Sequence, residues 1–210
     1  SETTMSLSPQ TKERIESVVS SNRVVLFMKG TPAQPQCGFS ARTIGILNEM
    51  VDDYETVNVL ADQEMREGIK AFSDWPTVPQ LYVDGEFQGG CDLVTEMYNR
   101  GDLHSMFGRE APDRTPPVIE MSDGAVELMR GALDANPGML VHLSIDAAWE
   151  HNFNLGPAQG HEIRTDANGI EILVDLPTAQ RARGLKLDVA DSFGGNNLTI
   201  NNHTGLGTLL

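Results

Sequence analysis

One uncharged segment, residues 24–28, constrains the fold of this chain more than any other feature. Its sequence, VVLFM, is aliphatic and aromatic throughout, which is typical of a strand buried on both faces. The residues that follow, as far as Gln36, are rich in threonine, proline and glutamine and cannot continue a strand. We therefore expect a buried strand that ends in a loop.

Cys37 ends this loop and stands where the next helix is expected to begin. Apolar residues recur beyond it at helical spacing: Phe39, Ile44, Leu47 and Met50. A thiol at a helix start faces unpaired backbone N–H groups and the positive end of the helix dipole, and both favour the thiolate. Lys29 adds a nearby positive charge. We therefore expect a reactive cysteine, since a buried structural one would have apolar neighbours in place of Gln36 and Gly38.

The residue three positions after Cys37 limits its redox chemistry. A dithiol site has a second cysteine there, whereas this chain has Ser40, so no disulfide can close within the motif. The sequence CGFS, between a strand and a helix, resembles the active-site signature of the monothiol glutaredoxins. Three further segments match that family at its spacing: KGTP at 29–32, WPTVPQ at 75–80 and GGCD at 89–92.

The resemblance covers residues 8–108 and implies an α/β thioredoxin-like fold, a mixed four-stranded sheet flanked by helices. The local patterns agree with it. Strands are predicted at residues 24–28, 56–60, 80–83 and 86–88, the last two joined by an Asp84-Gly85 turn. Helices are predicted to begin at Pro9, Cys37 and Asp62, and to cover residues 92–99 and 103–107.

The same resemblance implies a glutathione site. Lys29 and Arg66 are implied to hold the glycine carboxylate of glutathione. The backbone of Val78, which precedes a cis proline in the family, is implied to pair with the cysteinyl backbone. From the residues alone, Arg66 and Lys70 are most simply a solvated helix face paired with Asp62 and Glu67.

The segment 89–92 is implied to bind the γ-glutamyl end, through Cys91 and Asp92. Residue chemistry agrees, because Gly90 allows a ligand to approach the main chain, and N–H groups at a helix start suit a carboxylate. Cys91 is either a resolving thiol that pairs with Cys37 on oxidation or an inert helix-start residue.

The composition of the chain limits the cellular compartment and the classes of binding partner that we expect. Its 210 residues include 30 acidic and 15 basic ones, a net charge of −15, which argues against a nucleic-acid partner. Only two cysteines are present, as in proteins of a reducing cytoplasm. No apolar run reaches membrane-spanning length, and residues 1–5 contain no basic region followed by an apolar one, so we expect a cytoplasmic protein without a membrane partner.

Residues 109–117 separate two predicted domains, because they contain three prolines, mixed charges and no periodicity. After residues 118–121, Ser122 is expected to cap a helix that ends at Asn136. Short strands are predicted at 140–145, 153–155, 161–164, 170–174, 185–189 and 197–200, with a short helix at 177–183. This order resembles the HesB-like fold of A-type iron–sulfur carriers, a smaller α+β, mostly β domain, over residues 118–204.

The metal ligands of that second family are missing here. Its members use a cysteine in the loop after the first long strand and a Cys-x-Cys pair near the end, and residues 146–151 and 201–204 contain no cysteine. Other potential ligands are scattered without a close pair: His142, Glu150, His151, His161 and His203. We expect a degenerate, non-ligating module that serves packing, dimerisation or partner docking.

Three functions are compatible with the first domain. In the leading one, implied by the family, Cys37 and the cysteine of a bound glutathione each give one thiolate to a [2Fe-2S] cluster shared by a homodimer, for transfer to apo iron–sulfur proteins. The second is glutathione-dependent reduction of mixed disulfides by Cys37, at most a weak enzyme activity. The third is a redox or iron sensor that docks a BolA-like partner at the same cysteine.

Overall fold

The computed structural model describes residues 7–192, 195–202 and 205–208, with side chains as far as residue 189. The chain divides into two compact units, Ser1–Ala111 and Pro112–Leu210. The division falls within the segment 109–117 that the sequence predicts as a linker. None of the helices in the described ranges is long and apolar enough to span a bilayer.

The first unit is built on a mixed four-stranded sheet. Its strands are β1 Val24–Met28, β2 Glu55–Asn58, β3 Gln80–Val83 and β4 Glu86–Gly89. They lie in the order β2-β1-β3-β4, with β1 parallel to β2 and antiparallel to β3. Every residue of β1 is buried, as expected for a strand covered on both faces. The thioredoxin-like fold predicted for this half of the chain is confirmed.

Five helices flank this sheet. They are α1 Pro9–Ser21, α2 Gly38–Met50, α3 Gln63–Ser73, α4 Cys91–Arg100 and α5 Asp102–Met106. Ser8 caps α1 by accepting from the backbone N–H of Thr11, and Asp62 caps α3 by accepting from that of Met65. Cys37 is the residue immediately before α2, where the sequence places the helix start.

Strand β2 is shorter than its predicted range of 56–60, and the cause is Asn58. The side-chain Oδ1 of Asn58 accepts hydrogen bonds from the backbone N–H groups of Gly30 and Leu60, both at 3.0 Å. The chain therefore turns at Leu60 instead of continuing the strand. Val59, between Asn58 and Leu60, is apolar and fully buried. Its side chain is therefore typical of a strand, although the strand ends before it.

The second unit contains two four-stranded sheets. One has the order β12-β11-β10-β5 and the other β7-β6-β9-β8. The strands are β5 Ile119–Met121, β6 Leu140–Ile145, β7 His151–Gly156, β8 Ile163–Ala167, β9 Ile170–Val174, β10 Leu185–Ser192, β11 Gly195–Asn202 and β12 Gly205–Thr208. The helices are α6 Asp123–Ala135 and α7 Leu176–Arg181. The unit is mostly β, as predicted, while its likeness to the HesB-like fold stays a prediction.

Strand β8 begins later than predicted, and strand β12 is not among the predicted strands. Strand β8 begins at Ile163 and not at His161, because the Glu162 carboxylate accepts from the backbone N–H groups of Gln159 and Gly160 and closes a turn there. Strand β12 has the sequence GLGT, and its two glycines hide it from a search for β-branched alternation.

Helices α1 and α3 pack closely because Gly68 has no side chain. A methyl group on Gly68 would lie 2.4 Å from Cγ2 of the buried Thr11, whereas one on Gly45 of α2 would meet no atom within 4 Å. We expect Gly68→Ala to lower the free energy of unfolding by about 1–3 kcal/mol through overpacking. The matched Gly45→Ala should leave it unchanged or raise it by up to about 1 kcal/mol, since alanine favours a helix.

Urea unfolding curves of the two variants and the unchanged protein measure this difference. Equal stability of Gly68→Ala and Gly45→Ala would contradict the packing described for α1 and α3.

Candidate functional site

The backbone of α2 lowers the pKa of the Cys37 thiol. The largest cause is the backbone N–H of Ser40, and the N–H of Phe39 and the positive charge of Lys29 act in the same direction. Partial burial acts in the opposite direction. Cys37 is half-buried and free of any disulfide, so a nucleophilic or metal-ligating thiolate is available at this position.

Ser40 connects the thiol to the end of strand β1. Its side chain is fully buried, and its Oγ accepts a hydrogen bond from the backbone N–H of Lys29 at 3.1 Å. The same hydroxyl also contributes to the lowered pKa of Cys37. The residue that replaces a second cysteine is therefore part of the site, a role that the sequence motif alone did not reveal.

The loop between β1 and Cys37 is closed by its own backbone. The N–H of Gln36 donates to the carbonyl of Lys29 at 2.9 Å, and Thr31 and Gln34 exchange two backbone hydrogen bonds. Gly30 has a φ of +91°, and a methyl group there would lie 2.4 Å from the carbonyl oxygen of Gln34. Only glycine fits this position without strain.

The segments 75–80 and 89–92 meet at Gly90. The peptide bond between Val78 and Pro79 is cis, and both residues are buried. A methyl group on Gly90 would lie 3.2 Å from both the carbonyl oxygen of Pro79 and Nε1 of Trp75. The absence of a side chain at Gly90 therefore allows the two segments to come this close.

Gly90 is also the residue before helix α4, and Cys91 and Asp92 begin that helix. Cys91 is buried with 6% of its surface exposed, whereas Asp92 is exposed. Cys91 is a free thiol. The arrangement leaves the first N–H groups of α4 as potential donors to an anion.

Arg66 and Lys70 do not share one solvated set of ion pairs. Lys70 pairs with Glu67 at 3.1 Å, but Asp62, the acidic residue expected beside Arg66, pairs with Arg14 of α1. The Nε of Arg66 is buried and has no hydrogen-bond partner within the described ranges. A buried guanidinium donor without a partner is costly unless a ligand satisfies it.

The second unit has no comparable centre in the part that the structure describes. No group of three or more His, Cys, Asp or Glu side chains could hold a metal ion there. The Nε2 of His142 contacts the carbonyl of Pro157, and that of His161 contacts Oε1 of Gln159. Burial lowers the pKa of His151. His203 lies outside the described residues.

Comparison with known proteins places the first unit among glutaredoxins. A family model described as glutaredoxin matches residues 24–88. A Synechocystis protein, an uncharacterized monothiol glutaredoxin ycf64-like, is 52% identical over 100 residues, which are 48% of this chain and 94% of that protein. The mitochondrial monothiol glutaredoxin-5 of Saccharomyces cerevisiae is 56% identical over 102 residues, covering 47% and 68%.

A solved structure gives a further comparison. The solution structure of reduced poplar apo GrxS14 has 49% sequence identity, covers 49% of this chain and 94% of that chain, and has a TM-score of 0.44.

Replacing Ser40 tests how the thiolate is stabilised. We expect Ser40→Ala to raise the pKa of Cys37 because the hydroxyl is lost, yet to leave it below the ordinary cysteine value because the backbone N–H of residue 40 remains. Ultraviolet absorbance of the thiolate as a function of pH measures this shift. Ser20→Ala, at an exposed serine of α1, is the control, and an unchanged pKa in Ser40→Ala would exclude the hydroxyl from the site.

Proposed function

This chain belongs to the monothiol glutaredoxin family, and on that basis we propose that it binds glutathione and carries a [2Fe-2S] cluster to apo iron–sulfur proteins. The observation that carries the proposal is the thiol of Cys37, whose pKa the backbone N–H groups of Ser40 and Phe39 lower. The cluster is cargo in this role, held at a half-exposed residue from which it can leave.

The number of thiolates sets the assembly. A [2Fe-2S] cluster held by thiolates alone has four such ligands, and within one motif this chain offers only Cys37, because the other cysteine is buried at the start of α4. We propose that two chains and two glutathione molecules complete the set. The cluster-bound form is then a homodimer, and it requires the reducing compartment predicted from the free cysteines.

Glutathione suits the donors that surround the site. We assign its glycine carboxylate to Lys29 and Arg66, since both are cationic and the Nε of Arg66 lacks a partner among the described residues. We assign its cysteinyl backbone to Val78. Its γ-glutamyl end is assigned to the start of α4, where backbone N–H groups donate to a carboxylate and Asp92 accepts from an ammonium.

A second candidate function is glutathione-dependent reduction of mixed disulfides. The lowered pKa of Cys37 favours it, because the thiolate is the attacking species. The buried Ser40 disfavours fast turnover, because no neighbouring thiol can resolve the resulting intermediate and a second glutathione must do so. Docking of a BolA-like partner at Cys37 stays a prediction from the sequence.

For the second unit we propose a HesB-like module without thiolate ligands. Its strand and helix order, with α6 after β5 and α7 between β9 and β10, supports this proposal. The loop 146–150 between β6 and β7 and the first residue of β7, His151, contain no cysteine, and of the terminal loop His203 and Thr204 lie outside the described residues. The module is proposed to serve packing, dimerisation or partner docking.

Reconstitution of the full chain with iron, sulfide and glutathione under anaerobic conditions tests the cluster proposal. We expect a visible charge-transfer spectrum that Cys37→Ser loses, because its only exposed thiolate is gone. Cys91→Ser is the matched control and should keep the spectrum. Bound iron and sulfide remaining in Cys37→Ser would place ligands elsewhere in the chain and reject the assignment.

A disulfide-reduction assay separates the two candidate functions. With a glutathione mixed disulfide as substrate, we expect turnover far below that of a dithiol glutaredoxin assayed alongside, since resolution waits for an external thiol. If the two proteins reduce the substrate at comparable rates, disulfide reduction and not cluster transfer is the favoured function.

A further inference from the structure

We propose that Gln80 is a positioning residue for the glutathione site, because its buried carboxamide fixes the segment 75–79 that presents the backbone of Val78. The inference rests on the proposed binding of glutathione. It adds a residue that touches no ligand itself and acts through the main chain of its neighbours.

The carboxamide of Gln80 bridges two carbonyl groups of this segment. Gln80 is the first residue of β3, pairs with Phe27 of β1 and is fully buried. Its Nε2 donates to the carbonyl of Thr77 at 3.0 Å and to that of Trp75 at 3.2 Å. Only an NH₂ group can donate to two carbonyls, so these contacts fix which way the amide points.

Both accepting carbonyls precede Val78 in the chain and the donor Gln80 follows it, so the two bonds span the residue that is proposed to meet the ligand. The start of the segment is held by the N–H of Trp75, which donates to the carbonyl of Lys70 at 3.0 Å, and its end enters β3. Thr77 and Pro76 between these points are exposed. The Gln80 bonds therefore constrain the exposed part of the segment from its buried side.

This arrangement has a cost that packing alone does not explain. The Oε1 of Gln80 is buried and has no hydrogen-bond partner within the described ranges, which is unfavourable. An apolar side chain of the same length would fill the space without that penalty. A buried, half-satisfied amide is expected where the loop geometry it enforces is needed for function.

Gln80→Met removes both N–H donors and keeps the length of the side chain. Water can then hydrogen-bond to the exposed loop in their place. We expect the dissociation constant for reduced glutathione, measured by NMR titration of the full chain, to rise about tenfold, the size expected for losing one or two hydrogen bonds. The pKa of Cys37 should not change, since Gln80 is not among the groups that set it. Gln88→Met is the control, because Gln88 also donates to a backbone carbonyl, that of Glu86.

A second ligand distinguishes positioning from general loss of structure. Glutathione methylated on its cysteinyl amide nitrogen cannot form the full backbone pairing with Val78 and should bind more weakly. Because this pairing is already lost, its dissociation constant should be the same for the unchanged chain and for Gln80→Met. A variant that merely disturbs the fold would weaken both ligands equally. If Gln80→Met does not give folded protein, Gln80→Leu, which also lacks N–H donors and buries no charge, replaces it in the same comparison.

The outcomes separate the two proposals. Unchanged glutathione affinity in the variant, or equal losses for both ligands, overturns the role of Gln80 and leaves the proposed function standing. Absence of glutathione binding by the unchanged chain overturns the proposed function and the role of Gln80 with it.

Discussion

The interaction on which the candidate site depends is the electrostatic effect of the backbone N–H groups that open α2 on the Cys37 thiol, whose pKa they lower. These donors are free only because a helix begins there, and the helix begins there because the loop after β1 closes on itself through Lys29 and Gln36. Gly30 permits that closure with a φ of +91°. The reactivity of one thiol is therefore set by backbone geometry several residues away.

Two polar side chains hold this loop in place by hydrogen bonds. Ser40 joins the thiol to the backbone of Lys29, and Asn58 joins Gly30 to the turn after β2. Both are short side chains, which lose little conformational freedom on being ordered. These hydrogen bonds hold the loop against the ends of β1 and β2. The lowered pKa of Cys37 therefore depends on the position of the central sheet.

The sequence predicts most of the helices and strands, but it does not predict these side-chain contacts. The bounds of β1 and β3 follow from uncharged β-formers, and the starts of α1 and α3 follow from Ser8 and Asp62 as capping residues. The role of Gln80 could not be foreseen, because the two carbonyls it bonds belong to the main chain and leave no trace in residue type. Likewise, the turn closed by Glu162 depends on N–H groups that any residue supplies.

Buried polar atoms without a hydrogen-bond partner mark positions at which the first unit is less stable than it could be. Among the described residues they include Nε of Arg66, Nε1 of Trp75 and Oε1 of Gln80, which belong to or adjoin the segments assigned to glutathione. A fold selected for stability alone would replace such groups, since each costs free energy when unsatisfied. Under the proposed function, Arg66 satisfies its Nε by donating to glutathione, whereas the Oε1 of Gln80 stays without a partner among the described residues and the residue acts only by holding the backbone of Val78.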